Sequence, residues 1–402
     1  MPDGATLRLG ALLTALVALG PISTDMYLPS LPILSRTFAA SPAQVQLTLS
    51  MFLAGFACAQ LVYGPLSDRF GRRWVVFGGL CLYLAASAAC ALAQSIDQLI
   101  AARFVQAVGA CAGPVLGRAV VRDLFGRAQA AKMLAYMGTA MGLVPAAAPI
   151  LGGYLTLWYG WRGNFVVLTA VAVILVFAVL AILRETNPHL DPTATRADRL
   201  VRNYASLFRH RLYLGYVLAA AGTYGGLFAF LSGSSFVLID FLGVAVESYG
   251  LYFAIIVVGY MIGTVLVARL TPRFGLDVMI LAGLFIGAAA GAAGLALAAF
   301  GADHATAVIA PQFVYMIGLG IVLPNAVAGA IAPFPRMAGV ASALFGFAQM
   351  GLAALGGIAA GAFHDGTQMP MVTAILVMAI TALAGYLLLA WPVRGEAETA
   401  IG

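Results

Sequence analysis

Charge is what this 402-residue chain has least of: Asp, Glu, Lys and Arg together make up 9% of it. Soluble domains carry roughly 25% charged residues. Too few are present here to coat the water-facing surface of a globule this large, so a soluble protein with an apolar core is excluded. Cysteine is sparse as well. Cys58, Cys81, Cys90 and Cys111 all fall inside apolar runs, and none stands at metal-ligand spacing from a His or another Cys. They read as small buried apolar side chains. No His-Glu-x-x-His and no pair of catalytic carboxylates occurs, and His189, His210, His304 and His364 sit in loops or at helix ends, so no enzyme is expected. No Gly-x-x-x-x-Gly-Lys-Ser/Thr phosphate loop is present, which removes ATP as an energy source.

What is abundant is apolar sequence, 62% of the chain. One bilayer crossing takes about 20 mostly apolar residues. The hydropathy pattern predicts twelve crossing helices, at 10–33, 43–63, 74–94, 97–121, 132–156, 163–184, 212–238, 247–268, 277–299, 305–331, 337–361 and 369–391. The first span follows a single Arg and meets no small-residue cleavage site, so a cleaved signal peptide is not expected. Residues 185–211 are charged, with Glu185, Asp191, Asp198, Arg196, Arg199, Arg202, Arg209 and Arg211, and read as a solvated cytoplasmic linker. The expected organisation is an all-α membrane protein: a six-helix bundle over 1–184, the linker 185–211, and a second six-helix bundle over 212–402.

Orientation follows from the basic residues, which collect in cytoplasmic loops. Of the 21 Lys and Arg, 18 fall on one side: Arg8; Arg69, Arg72, Arg73; Arg118, Arg122, Arg127, Lys132; six from Arg184 to Arg211; Arg269, Arg273; Arg336; Arg394. Arg36 and Arg162 fall on the other, and Arg103 lies within a span. This alternation predicts both termini in the cytoplasm. The net charge of +6 is then a topology signal. Nucleic-acid binding would need the arginines gathered on one face with aromatic stacking partners, and they are dispersed over short loops.

The second cytoplasmic turn of each half carries an echo: Leu66-Ser67-Asp68-Arg69-Phe70-Gly71 in the first and Leu270-Thr271-Pro272-Arg273-Phe274-Gly275 in the second. Two related six-helix halves are an arrangement in which cargo binds near the midplane between them. More specific motifs follow. Gly64 through Arg73 resembles motif A of the major facilitator superfamily. Arg103-Phe104-Val105-Gln106-Ala107-Val108-Gly109 resembles motif B, and Gly138 through Gly153 resembles motif C of the drug/proton antiporters, although Pro145 follows Val144 rather than a glycine. Thr24 through Pro32 and Gly113 through Asp123 resemble the Bcr/CflA group of multidrug exporters. The likeness is close over most of the first half and lies mainly in helix count in the second. It implies proton-coupled export of small drug-like molecules such as bicyclomycin, chloramphenicol or florfenicol, by alternating access, in a bacterial inner membrane.

Only Asp25 and Arg103 are placed inside the hydrocarbon by the predicted spans. Each costs roughly 2.5–3.5 kcal/mol at a helix centre, which makes such residues functional candidates. Counting along the helices puts both at similar depth, ~22 Å from the cytoplasmic side. A carboxyl removed from water holds a proton more readily, and a nearby guanidinium opposes that. Asp25 is therefore the expected proton-binding group, with Arg103 and cargo acting on it. Asp25 at the water interface, or Arg103 as a packing residue, are the alternatives.

Candidate cargo contacts, besides Asp25 and Arg103, are Met26, Tyr27, Met141, Tyr224, Phe228, Gln312, Tyr315, Phe345 and Gln349, since Met, aromatic and amide side chains suit a promiscuous pocket. A conformational switch is expected from Gly64, Asp68, Arg69, Gly71 and Arg72, with Arg72 pairing to Asp123, and Asp68 meeting the N-terminus of the helix near Met337, as the resemblance implies. Gly142, Pro145, Pro149, Gly152 and Gly153, with Gly138, are expected to let a helix kink and pack closely. Expected partners are a small-molecule substrate, protons and the lipid bilayer, with no nucleic acid, for a monomer. No metal or organic cofactor is expected, the proton being the coupling ion. Rival functions are proton-linked export of a metabolite such as a sugar or amino acid, and a passive channel, in which Asp25 has no need to titrate.

Overall fold

The computed structural model describes residues 4–393, with side chains described except at 4, 5, 127, 128, 131, 135, 139, 140, 197, 199 and 336. Arg394, and the side chains of Arg127, Arg199 and Arg336 used in the orientation argument, lie outside the described residues. Among the described residues every regular element is helical. In chain order these are α1 (Gly4–Asp25), a 3₁₀ turn (Leu28–Ser30), α2 (Leu31–Phe38), α3 (Pro42–Phe70), α4 (Arg72–Leu92), α5 (Ile96–Leu124), α6 (Arg127–Tyr159), α7 (Trp161–Ile182) and α8 (Ala197–Phe208). Then come α9 (Arg211–Ser235), a π-turn (Phe236–Phe241), α10 (Val246–Phe274), α11 (Leu276–Ala299), α12 (Ala305–Ile331), a 3₁₀ turn (Pro335–Met337), α13 (Ala338–Ala362) and α14 (Met369–Leu389). Twelve spans are long and apolar enough to cross a membrane, the first formed by α1, its 3₁₀ turn and α2 together.

The first span corrects the expected continuous helix over 10–33. α1 stops at Asp25, and the chain resumes helical geometry only at Leu31. The reason lies in Pro29. A proline inside a helix lacks an N–H and its ring strikes the carbonyl four residues back, which here belongs to Asp25. Pro32 falls in the first turn of α2, where proline is tolerated. The linker is also more structured than expected. α8 occupies Ala197–Phe208 and buries Leu207.

The chain forms two compact units. One comprises the chain up to Ala40, Met51–Arg199 and Val246–Gly250; the other comprises Ser41–Ser50, Leu200–Ala245 and the chain from Leu251 onward. In the first, α1 packs on α5 and α6, and α4 on α5 and α7. Backbones come close where side chains vanish: a Cβ on Gly113 of α5 meets the Leu16 carbonyl of α1 at 2.1 Å. In the second, α9 packs on α13, α14 and α12, and α11 on α12. The sequence echo has a geometric counterpart. Gly71 and Gly275, which close it, both take positive φ (91° and 82°) and turn the chain into the next helix. L side chains rarely adopt that region, which glycine enters freely.

Candidate functional site

The break after α1 places Asp25, Met26 and Tyr27 together inside the first unit, all three buried. α6 comes so close that a Cβ added at Gly152 would collide with the Met26 carbonyl oxygen. A buried hydroxyl cluster fixes the far side of the break. The Ser30 and Thr156 hydroxyls share a hydrogen bond of 2.6 Å, and Asn164 Nδ2 of α7 donates to both, at 3.0 and 2.9 Å. Thr24 Oγ1 donates to Asp25 Oδ1 at 2.8 Å. Asp25 is 4% exposed and belongs to no ion pair among the described residues.

Arg103 of α5 is fully buried. Its guanidinium lies 4.3 Å from the ring centroids of both Tyr27 and Phe52, and 5.7 Å from that of Phe165. Aromatic faces attract such a cation by about 0.5–1 kcal/mol each when exposed and more when dry. Nη1 donates to Gln106 Oε1 at 2.6 Å, and Gln106 Nε2 donates to Ser87 Oγ at 2.8 Å. Ser87 donates to the Tyr83 carbonyl, and the Tyr83 hydroxyl shares a 2.7 Å hydrogen bond with Ser23, two residues before Asp25. Polar contacts thus run from Arg103 through α4 to α1. Nε and Nη2 of Arg103 have no hydrogen-bond partner. Asp25 and Arg103 are linked through Tyr27, two residues after Asp25, whose ring lies on the guanidinium, and they form no ion pair among the described residues.

The other cargo candidates separate. On α9, Tyr224 and Phe228 form a ring pair with centroids 5.1 Å apart. Phe345 is buried in α13 and Gln349 is half-buried on it. Met141 is exposed on α6. Tyr315 is buried on α12, its hydroxyl donates to the Thr223 carbonyl at 2.7 Å, and it packs against Gly226. Gln312 is interior too, beside a cavity of about 20 Å³ that it lines with Tyr315 and Phe230, and its Nε2 is unpartnered. The small residues expected to draw helices together divide as well. A Cβ on Gly138 or Gly142 meets nothing within 4 Å, nor does one on Gly64, whereas Gly152 and Gly153 are packed on backbone. Pro145 and Pro149 lie inside α6.

The turn between α3 and α4 is a dense polar knot. Arg72 bridges Asp68 Oδ1 at 2.6 Å and Asp123 Oδ2 at 3.0 Å. A residue not foreseen from the sequence completes it. Glu185 accepts the backbone N–H groups of Arg72 (2.8 Å) and Arg73 (3.2 Å), capping the N-terminus of α4, and those of Thr186 and Asn187. Partial burial works against its charge, but these four donors outweigh it and hold the carboxyl below the usual range. A Cβ on Gly71 strikes this carboxylate at 2.4 Å. The following chain is strapped down too: Asp191 N–H donates to the Asp68 carbonyl at 3.0 Å, and Arg69 Nη1 to Thr195 Oγ1 at 2.7 Å. In the second unit the start of α11 is tied differently: Asp277 in its first turn accepts the hydroxyls of Tyr216 (2.8 Å) and Tyr386 (2.5 Å).

Residues 13–357 match the model of the Major Facilitator Superfamily. The chain is 32% identical to a bicyclomycin resistance protein homolog of Haemophilus influenzae, over 92% of this chain and 93% of that one. It is 28% identical to multidrug resistance protein D of Escherichia coli, over 84% of each. In fold it resembles a bacterial homolog of the human lysosomal transporter Spinster, with a TM-score of 0.74, 17% identity and coverage of 97% and 98%. Twelve apolar helices, a motif A knot at the α3–α4 turn and these relatives agree: the chain is a multi-pass membrane protein that belongs to the Major Facilitator Superfamily, among relatives of the bicyclomycin- and multidrug-resistance type.

Proposed function

We propose that this protein exports small drug-like molecules in exchange for protons across a bacterial inner membrane, both termini facing the cytoplasm. The names of its relatives favour that cargo: bicyclomycin for one, several drugs for another, and chloramphenicol for a relative from Pseudomonas aeruginosa. The segments 1–184 and 212–402 serve as the two rocking bundles, and 185–211 connects them.

The observation that carries the coupling is the buried Asp25 at the break in the first span, two residues before Tyr27, whose ring lies on the Arg103 guanidinium. A proton bound at Asp25 removes a charge from a dry site. Cargo that reaches Tyr27 disturbs the stacking on Arg103, and through it the field felt at the carboxyl. Proton and cargo thereby compete for one region, which is the least that exchange requires. Alternating access needs a device that holds one state, and the Asp68–Arg72–Asp123 network with its Glu185 cap supplies it.

The test is drug-evoked pH change in inside-out vesicles. Native protein moves protons when cargo is added; Asp25→Asn abolishes the proton signal, and Arg103→Ala weakens both fluxes. Normal coupling in Asp25→Asn overturns the site assignment, and proton-free transport by the native protein makes it a uniporter.

A further inference from the structure

Next to the polar knot, on the outer face of α3 and α4, lies a groove of about 360 Å³. It is lined by Tyr63, Leu66 and Phe70 of α3 and by Trp74, Gly78 and Leu82 of α4, among others. Phe70, Trp74 and Leu82 are exposed. Gly78 leaves the groove open on α4: a Cβ there meets nothing within 4 Å, while its neighbour Gly79 packs against Ala112 and the Tyr63 hydroxyl. In a membrane protein, an exposed apolar channel of this kind faces hydrocarbon.

Its mouth is cationic. The Arg69 guanidinium sits 5.0 Å from the Phe70 ring centroid and that of Arg73 sits 5.4 Å from the Trp74 ring centroid. Neither makes an ion pair among the described residues: Arg69 donates to Thr195 and Arg73 to the Leu180 carbonyl. The nearby acids are already engaged, Asp68 by Arg72 and Glu185 by the start of α4.

We propose that the α3–α4 groove is a binding site for an anionic glycerophospholipid, with one acyl chain along Gly78 and the headgroup phosphate between Arg69 and Arg73. Charge complementarity selects this occupant. A neutral apolar molecule leaves both guanidinium groups unused, and a second copy of the chain brings two more cations to the same mouth. Basic residues near a membrane surface each favour an anionic headgroup by an amount that, for two, corresponds to roughly a thirtyfold preference. The occupant follows from the groove and its rim alone, so the site is independent of cargo identity and of which leaflet the rim faces.

The experiment is lipid titration of the delipidated full-length protein by native mass spectrometry, comparing phosphatidylglycerol with phosphatidylcholine. The native protein is expected to retain one phosphatidylglycerol with roughly thirtyfold preference. Gly78→Leu fills the channel and loses both lipids. Arg73→Gln keeps phosphatidylcholine binding but cuts the preference to about fivefold. Leu82→Trp narrows the same channel from the other end and is the second variant should Gly78→Leu misfold. Equal affinity for the two lipids overturns the proposal, as does unchanged binding in both channel variants. Displacement of the lipid by inorganic phosphate overturns it in favour of a free-anion site, and loss of dimers in Gly78→Leu assigns the groove to a second copy. Drug export that fails while lipid binding persists speaks against the exporter reading and leaves this site standing.

Discussion

Two glycines of α6, ten residues apart, invite the same substitution and opposite results. Replacing glycine by alanine inside a helix favours the helix by about 0.8–1.0 kcal/mol in the absence of other contacts. At Gly142 nothing stands within 4 Å of the added methyl, so Gly142→Ala is expected to keep that gain. At Gly152 the methyl collides with the Met26 carbonyl oxygen, far inside the 3.0 Å below which real Cβ contacts essentially never fall. The partner atom is backbone and cannot rotate away, so α6 or the segment after α1 must shift to admit it. Overpacking of this kind costs about 1–3 kcal/mol, enough to cancel the helix gain and leave a net loss. The displaced segment is the one that carries Asp25 and Tyr27, so export suffers as well as stability. The assay pairs thermal unfolding of the purified proteins with drug accumulation in cells. Gly152→Ala should melt below the native protein and export poorly, while Gly142→Ala melts at or above it. Equal melting and full export in Gly152→Ala refutes the close packing of α6 on the break.

Two further outcomes are expected. Glu185→Gln removes the carboxylate cap from α4 and should lower stability by about 0.5–2 kcal/mol, as loss of a helix cap does. Because the Glu185 carboxyl is held below its ordinary value of 4.5, its contribution is complete above that pH and fades only as the pH falls through the lower folded value. The Gln penalty should therefore be constant from pH 5.5 to 8 in a melting series, and a penalty that varies across that window counts against the cap. Arg103→Lys keeps the charge but cannot lie flat between Tyr27 and Phe52. A loss of about 1–3 kcal/mol in stability is expected, and drug export should fall with it. Full export by the Lys form means that the stacked geometry is irrelevant.

Much of the architecture was legible in the residues, because long apolar runs and the placement of arginine are direct consequences of the solvent. Twelve spans follow from that, and Gly71 and Gly275 announce matching turns through a six-residue echo. The break after Asp25 was missed because hydropathy registers only that the run continues. The collision of Pro29 with the Asp25 carbonyl is a backbone matter that a residue count of four back reveals. The cage around Arg103 was half seen: Tyr27 was singled out, but for cargo, while Phe52 and Phe165 come from other helices and carry no mark of their purpose. Glu185 was read as part of a solvated linker, since nothing local indicates that it caps a helix beginning 113 residues earlier. Tyr315 and Gln312 stand out in the sequence by chemical type, which does not foretell that both line one small interior cavity.

The aromatic housing of Arg103 also bears on how membrane voltage acts on the protein. Its positive charge is balanced by ring electrons rather than by a carboxylate, so nothing beside it cancels it electrically. A unit charge displaced through a full 100 mV gains or loses about 2.3 kcal/mol. Any step in which this guanidinium shifts along the membrane normal is therefore sped or slowed by voltage, but the arginine returns within each cycle, so the potential sets the balance between states through it while net export still draws on the ions and cargo that cross.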